Sequence, residues 1–403
     1  MTFSRADRSR AAEWWFTIDR RMVTVILILM AIGIILALAA SPAVAVRKGL
    51  PAFYFAERQL LYAMLGCLVM VTASLLSPRE IRRLALALLL ASFVALIWVA
   101  VSGPEINGAR RWIRIAGYSF QPSEVAKPAF IVMTAWLLAE ARRNPEGKAL
   151  PLAFASFALL VGLLAIQPDI GQTILIATVW GALFVISGQP LIRAGALGLA
   201  GIAGFIVAYF SFDHVRRRVH RFVDPSSGDT FQTDRAIQSF TEGGLLGRGP
   251  GEGTIKSVLP DAHTDFIFAV IGEEYGALAC LALLALFAFV AARALRRAAS
   301  EPDPFIRLAV AGLALLFSLQ ALINVGVNVG LLPAKGMTLP FISAGGSSNV
   351  AVSLTVGLLL ALMRRRPDVA HVKRPQLSPM FGRPLPGVTG DEGAAIEKGP
   401  ARG

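Results

Sequence analysis

Apolar residues fall in ten runs along the chain: Met22 to Ala40, Leu60 to Leu76, Leu84 to Val101, Pro128 to Ala139, Leu150 to Ile166, Ile170 to Ile186, Ala194 to Phe210, Phe266 to Ala292, Phe305 to Leu332 and Val350 to Met363. Unbroken apolarity over such lengths predicts helices in a bilayer, because no face is left polar for water. Several runs fall short of the roughly 20 residues that cross a bilayer, so they must borrow polar flanks, tilt, or stop against protein. Pro128 to Ala139 gives the weakest helix signal. The expected fold is an all-α polytopic membrane protein of about ten transmembrane helices, with a large extracytoplasmic loop, Ser211 to Thr264, between spans 7 and 8. Residues 1–21 read as an N-terminal segment, 22–366 as the membrane domain, and 367–403, rich in Pro, Gly and charge, as a disordered tail.

Composition agrees with this solvent. Of the 403 residues 55% are hydrophobic and 16% charged, below the roughly 25% charged of soluble domains. Cys67 and Cys280 each lie within an apolar run, which points to packing and away from a disulfide or metal framework. The formal charge of +13 is accounted for by basic residues at span ends, so a nucleic-acid partner is not expected.

Arginines set the orientation. Arg5 to Arg21, Arg79 to Arg83, Arg142 to Lys148, Arg293 to Arg297 and Arg364 to Arg366 occupy alternate loops, which places both termini in the cytoplasm. Cations are nevertheless retained in two outward loops, at Arg110, Arg111, Arg114 and Lys127, and from Arg216 to Lys256. A phosphorylated lipid headgroup would use them; translocation of a long loop regardless of charge would also explain the second set.

The same loops carry unusual polar sequence. In NGARRWIRIAGYSFQPSEVAKP, Trp112 stands among arginines and Gln121, Glu124 and Lys127 return before the next run, which fits a re-entrant or interfacial segment or an aromatic belt with snorkelling bases. TEGGLLGRGPGEGT offers glycines for close approach to a ligand, or a flexible linker; it lacks the features of a nucleotide loop. IQPDIG, with Asp169, and LPAKGMTLPFISAGGSSNV interrupt apolar sequence, and irregular backbone at membrane depth survives only inside protein or beside a watery cavity. Asp169 has two readings, a functional carboxylate or a helix-to-helix hydrogen bond.

VLPDAHTDFIFAVIGEEYG places Asp261, Asp265, Glu273 and Glu274 at the head of an apolar helix. If the helix begins near Asp261, Asp265 caps its positive end, and Glu273 follows on the same half, so the acids line a wall. Outer cations plus a carboxylate at a cavity mouth suit glycosyl transfer from a lipid diphosphate, with the carboxylate as base toward the acceptor hydroxyl.

RRWIRIAGYSFQPSEVAKP, QPDIG, DPSSGDTFQTDRAIQSF, LPDAHTDFIFAVIGEEYG and LPAKGMTLPFISAGGSS, in this order, resemble the motifs of the shape, elongation, division and sporulation (SEDS) family of peptidoglycan glycosyltransferases. KGMTLPFIS resembles the division branch more than the elongation branch. The resemblance implies polymerisation of lipid II into β-1,4 glycan strands outside the inner membrane at the division septum, with undecaprenyl diphosphate leaving. It implies Asp265 as the catalytic residue. Arg111, Trp112 and Lys127 would hold the lipid-linked substrate, and the same motifs supply Gln121, Glu124, Asp169, His263, Lys335 and Ser347 as further candidates. Ala344 stands where the family usually has tyrosine, which removes any role for that ring. No metal-ligand spacing is present, and no cofactor is required beyond an optional divalent cation, Mg or Mn. The implied partners are a class B penicillin-binding protein, acting as transpeptidase, and other divisome membrane proteins. A lipid II flippase would also need a cavity and buried ions, though no inverted repeat is evident; a divisome scaffold would leave Asp265 and the outer cations unused.

Overall fold

The computed structural model describes residues 10–47, 49–106, 108–115, 117–211, 215–216, 220, 230–333 and 336–364. Lys335, Arg217, Arg218, Arg221, the DPSSGD segment and the 367–403 tail lie outside them. Helices dominate: α1 Arg10–Thr17, α2 Arg20–Arg47, α3 Tyr54–Ser74, α4 Pro78–Ser102, α5 Pro122–Arg143, α6 Ala149–Ile166, α7 Ile170–Ile186, α8 Leu191–Ser211, α9 Phe231–Gly243, α10 Ile267–Ala299, α11 Pro304–Asn328 and α12 Gly346–Met363. All ten apolar runs are helical, flanked by the shorter amphipathic α1 and α9. Eight of these helices are long and apolar enough to cross a membrane.

Of the two exceptions, α7 is apolar but only 17 residues long, and α5 is explained by position. α5 is far longer than its apolar run because it takes in Glu124 and Lys127 at one end and Arg142 and Arg143 at the other. It packs against α4, α6, α11 and α12, so its polar head faces protein rather than lipid. The weakest predicted span is thus a central helix. α12 is the most enclosed candidate span, with 89% of its window buried, and it packs most extensively on α3. α8 is the opposite case, with none of its window buried.

The segment from Gly103 to Gln121 is not helical among its described residues. It forms two short antiparallel hairpins, β1 Glu105–Ile106 with β2 Ala109–Arg110, and β3 Ile113–Ile115 with β4 Tyr118–Phe120. Arg111 and Trp112 occupy the junction between them. At the opposite end of the bundle α1 is fastened rather than free. Its Trp14 Nε1 donates to Ser74 Oγ at 2.7 Å and Glu13 pairs with Arg364 at 2.9 Å.

α10 begins at Ile267, not near Asp261, and breaks at Gly276, whose φ of 78° and ψ of 177° are not helical. A break inside a span frees backbone groups that lipid cannot satisfy. The glycine-rich loop after α9 satisfies them: Ala277 N donates to Gly244 O at 2.9 Å, and Leu278 N to Leu245 O at 3.2 Å. In return Arg248 N and Gly249 N each donate, at 3.0 Å, to the carbonyls of Glu273 and Glu274. These glycines therefore serve close approach to the chain's own helix, and neither a ligand nor a flexible linker explains them. A Cβ on Gly243 would sit 1.9 Å from Gly272 O, and one on Gly247 2.2 Å from Glu274 O.

Gly243→Ala should therefore undock this loop, at a cost of at least about 1 to 3 kcal/mol from overpacking. The expected readout is a lower thermal midpoint in detergent with faster proteolysis within 244–257; an unchanged midpoint would show that the two backbones need not touch.

Candidate functional site

One end of the bundle encloses a cavity of about 390 Å³. α3 presents Phe55, Arg58, Gln59 and Tyr62 to it, a spacing that keeps all four on one helical face. The hairpins contribute Arg111, Trp112 and Ser119, and the head of α5 contributes Gln121 and Glu124. Opposite them stand Asp261, Thr264 and Asp265 from the turn before α10, with Thr338 and the Ala344 to Ser348 segment closing the wall.

Asp265 is half-buried and lines the cavity. Burial, and to a lesser degree the Asp261 carboxylate, pushes it up to about 7. No cation pairs with it among the described residues. Its carbonyl accepts bonds from Asn324 Nδ2 and Asn328 Nδ2, both at 2.9 Å.

The other carboxylates of the head segment behave differently. Glu273 and Glu274 are fully buried but do not line the cavity, so the expected wall of acids reduces to Asp261 and Asp265. Glu273 Oε1 accepts from Thr254 N at 2.6 Å and Ile255 N at 2.9 Å. Glu274 pairs with Lys256 and accepts from Gly251 N at 3.0 Å. Both fasten the glycine-rich loop to α10. The described loop cations are likewise engaged within the chain: Arg248 with Glu242, Lys256 with Glu274, and Arg235 with Gln238 and the Phe231 ring.

Two arginines do reach the cavity. Arg111 is braced by the corner between α6 and α7, its Nε donating to Gln167 O at 2.8 Å and its Nη2 to Pro168 O at 2.5 Å. Arg58 lies against the Tyr54 and Tyr118 rings, with Nη1 on Tyr54 Oη at 2.8 Å and Nη2 on Gly117 O at 3.1 Å. Such bracing leaves other N–H groups for a ligand and lowers the entropy lost on binding. Arg58 was not singled out in the sequence, although its place in the 55, 58, 59, 62 stripe marks it.

Lys127, Asp169 and His263 are brought near the cavity but do not line it. Lys127 Nζ is buried between Glu124 Oε1 at 3.0 Å and Gln320 Oε1 at 3.1 Å. Glu124 Oε1 also accepts from Gln172 Nε2 at 2.7 Å. Asp169 caps α7, accepts from Gln121 Nε2 at 3.2 Å and lies 3.9 Å from Arg111; burial raises it, and Arg111 opposes that rise. His263 packs against the Phe55 ring at 4.4 Å. Ser347 lines the wall and accepts from Gln121 N at 3.3 Å. Ala344 contributes its N–H, which donates to His263 O at 2.9 Å, a bond any residue there could make.

Known proteins resemble this chain over most of its length. A family model described as cell cycle protein, covering FtsW, RodA and SpoVE, matches residues 19–367. The chain belongs to this family. It is 45% identical over 366 residues to the probable peptidoglycan glycosyltransferase FtsW of Caulobacter vibrioides, spanning 91% of this chain and 94% of that one. The stage V sporulation protein E of Bacillus subtilis is 33% identical over 359 residues, 86% of this chain and 97% of its own. Among solved structures, a chain of a peptidoglycan synthase complex that coordinates polymerization and crosslinking superimposes with a TM-score of 0.71 at 30% identity, over 87% of this chain and 98% of that one. The rod shape determining protein RodA of Thermus thermophilus gives 0.62 at 28%, over 87% and 97%. The chain is thus a polytopic membrane protein of the FtsW, RodA and SpoVE type.

Lys127 offers a test of what buried charge does here. Lys127→Met alone leaves Glu124 uncompensated and should cost about 3 to 5 kcal/mol, whereas Lys127→Met with Glu124→Gln should recover much of it. Thermal midpoints of the two variants check this. Normal stability of the single variant, with a raised KM for substrate, would instead place the lysine on the ligand.

Proposed function

We propose that this chain is a peptidoglycan glycosyltransferase that polymerises lipid II into β-1,4 glycan strands at the outer face of the inner membrane, releasing undecaprenyl diphosphate. One observation carries the reading: a carboxylate with no cation paired to it among the described residues and two braced arginines face the same cavity. A carboxylate at the usual pKa is a feeble base at neutral pH, and one pushed to about 7 is matched to its task. Asp265 would take the proton of the acceptor hydroxyl as its oxygen bonds to the donor's anomeric carbon. The bond from that carbon to the diphosphate oxygen breaks, and Arg58 and Arg111 would hold the departing anion. Trp112, Gln121 and Ser347 would contact the sugars or peptide. Glu124, Lys127, Asp169 and His263 would support that surface from behind.

Among the described residues no three His, Cys, Asp or Glu side chains cluster to cage an ion. Asp261 and Asp265, both on the cavity wall, would hold a Mg or Mn ion through water. Such an ion, when bound, would neutralise charge on the leaving group. The likeness to a synthase complex chain supports a crosslinking partner, which we take to be a class B penicillin-binding protein. Likeness to FtsW proteins supports work at the division septum with other divisome membrane proteins, and the basic residues in alternate loops support a cytoplasmic side for both termini.

Purified protein given lipid II, its transpeptidase partner disabled for crosslinking, should make glycan polymer. Asp265→Asn should make about 10²- to 10⁴-fold less. Equal polymer from both would remove Asp265 from catalysis. Lipid II crossing liposomes with the wild type alone, and no polymer from either, would establish a flippase; silence in both assays with partner recruitment intact would leave a scaffold.

The pH dependence has a definite sign. Asp265 works as a base only when ionised, so the rate should rise with pH through about 7 and level off above it. Asp261→Asn removes the neighbouring charge and should move that midpoint downward. Because the folded state binds this proton more tightly than the unfolded chain, stability from this group falls as pH rises toward 7. Asp265→Asn should accordingly be at least as stable as wild type at pH 8 while inactive, a combination checked by thermal midpoints alongside the polymer assay.

A further inference from the structure

Three successive carbonyls lead into the turn that carries Asp265, and each is taken by a different donor. His263 O accepts from Ala344 N at 2.9 Å, Thr264 O from Ser343 Oγ at 2.5 Å, and Asp265 O from both Asn324 and Asn328 at 2.9 Å. The asparagines stand one turn apart on α11, 1% and 0% exposed, and neither lines the cavity. Asn328 Oδ1 also accepts from Ala269 N at 3.1 Å, so one side chain joins the Asp265 carbonyl to the first turn of α10. Asn324 Nδ2 reaches Met337 O at 2.6 Å, and one turn earlier Gln320 Nε2 reaches Thr338 O at 3.2 Å. A single face of α11 therefore holds both the carboxylate-bearing turn and the facing 337–338 segment of the cavity wall.

An amide in the interior of an apolar helix is costly unless its hydrogen bonds are all used. Here they are spent on the backbone of the turn bearing Asp265, not on α11's neighbours in general. We infer that Asn324 and Asn328 are positioning residues that fix the Asp265 carbonyl, and through it the direction in which the carboxylate enters the cavity. Without them only the Ser343 and Ala344 bonds tie the turn's carbonyls to the facing segment, and the Asp265 to Phe266 peptide is left with the single bond from Phe266 N to Asp261 O at 3.2 Å. A displacement of about 1 Å at a reacting group can lower a rate by around 10²-fold. The cavity residues of α3 and the hairpins do not rest on this face of α11, and α5 meets it through Gln320 and Lys127, which neither asparagine substitution touches.

The inference rests on Asp265 acting as base, so Asp265→Asn is assayed in parallel. Asn324→Leu and Asn328→Leu in the full-length protein should each lower kcat on lipid II by about 10- to 100-fold per folded molecule, with KM changed by less than about twofold. The midpoint of the pH profile should stay attached to whatever rate remains. Amide exchange at Phe266 to Val270 should quicken in Asn328→Leu. If the leucine variants do not fold, Asn324→Ser and Asn328→Ser are read by the same criteria. An unchanged kcat per folded molecule, or a raised KM with kcat kept, overturns the positioning role. Full activity of Asp265→Asn overturns the catalytic reading instead, and an inactive Asp265→Asn beside fully active asparagine variants overturns the positioning role alone.

Discussion

The fold depends on one constraint: backbone that leaves helical geometry at membrane depth must find its hydrogen bonds inside the protein. The chain does so twice around the cavity. At the Gly276 break, the amides of Ala277 and Leu278 are taken by the glycine-rich loop, and the loop's own amides are taken by the Glu273 carboxylate. At the segment before α12, Ser343 Oγ accepts from Leu339 N and donates to Thr264 O, while Asn349 reaches Ser343 O and Gln59. These bonds keep two irregular stretches in register; the second lines the cavity together with the turn before α10, and the first holds the helix that follows that turn.

Electrostatics then divides the acids of this region by what they meet. Glu124 meets Lys127, Asp169 meets Arg111 and Glu274 meets Lys256, each largely out of solvent. A buried pair of this kind adds little net stability over apolar packing, but it is intolerant of losing one member, so it fixes geometry. Asp265 shares the cavity wall with Asp261, and burial raises its carboxyl where a paired cation would have lowered it. The difference between a carboxylate that holds structure and one able to move a proton lies in the neighbour, not in the residue type.

The likeness to a synthase complex chain extends over 87% of this sequence. The likeness is therefore one of overall architecture. Within this chain the cavity is bounded by the hairpins, the turn before α10 and the heads of α3, α5 and α12.

Much of this was legible in the chain itself. Ten apolar runs become ten helices because a bilayer rewards apolarity wherever it is continuous, and that signal is local. The break before α12 was visible in Pro333, Gly336 and Pro340, and Asp265 stood out as an acid at the edge of an apolar run. Hairpin formation at 105–120 was harder to see, although the Asn-Gly dipeptide at 107–108 is a turn signal. Other features were not local at all. Glu273 and Asp265 look alike in sequence, and only the fold of residues 244–257 against α10 tells the structural acid from the exposed one. Lys127 reads as an outer cation until α5 extends back through it and Gln320 closes over it. Arg58 enters the site because α3 begins six residues before the apolar run does. The sequence by itself determined the solvent and the helices, because burial in lipid is decided residue by residue. Only the tertiary structure decided which charges are neutralised and which face water, because that depends on partners brought together from distant parts of the chain.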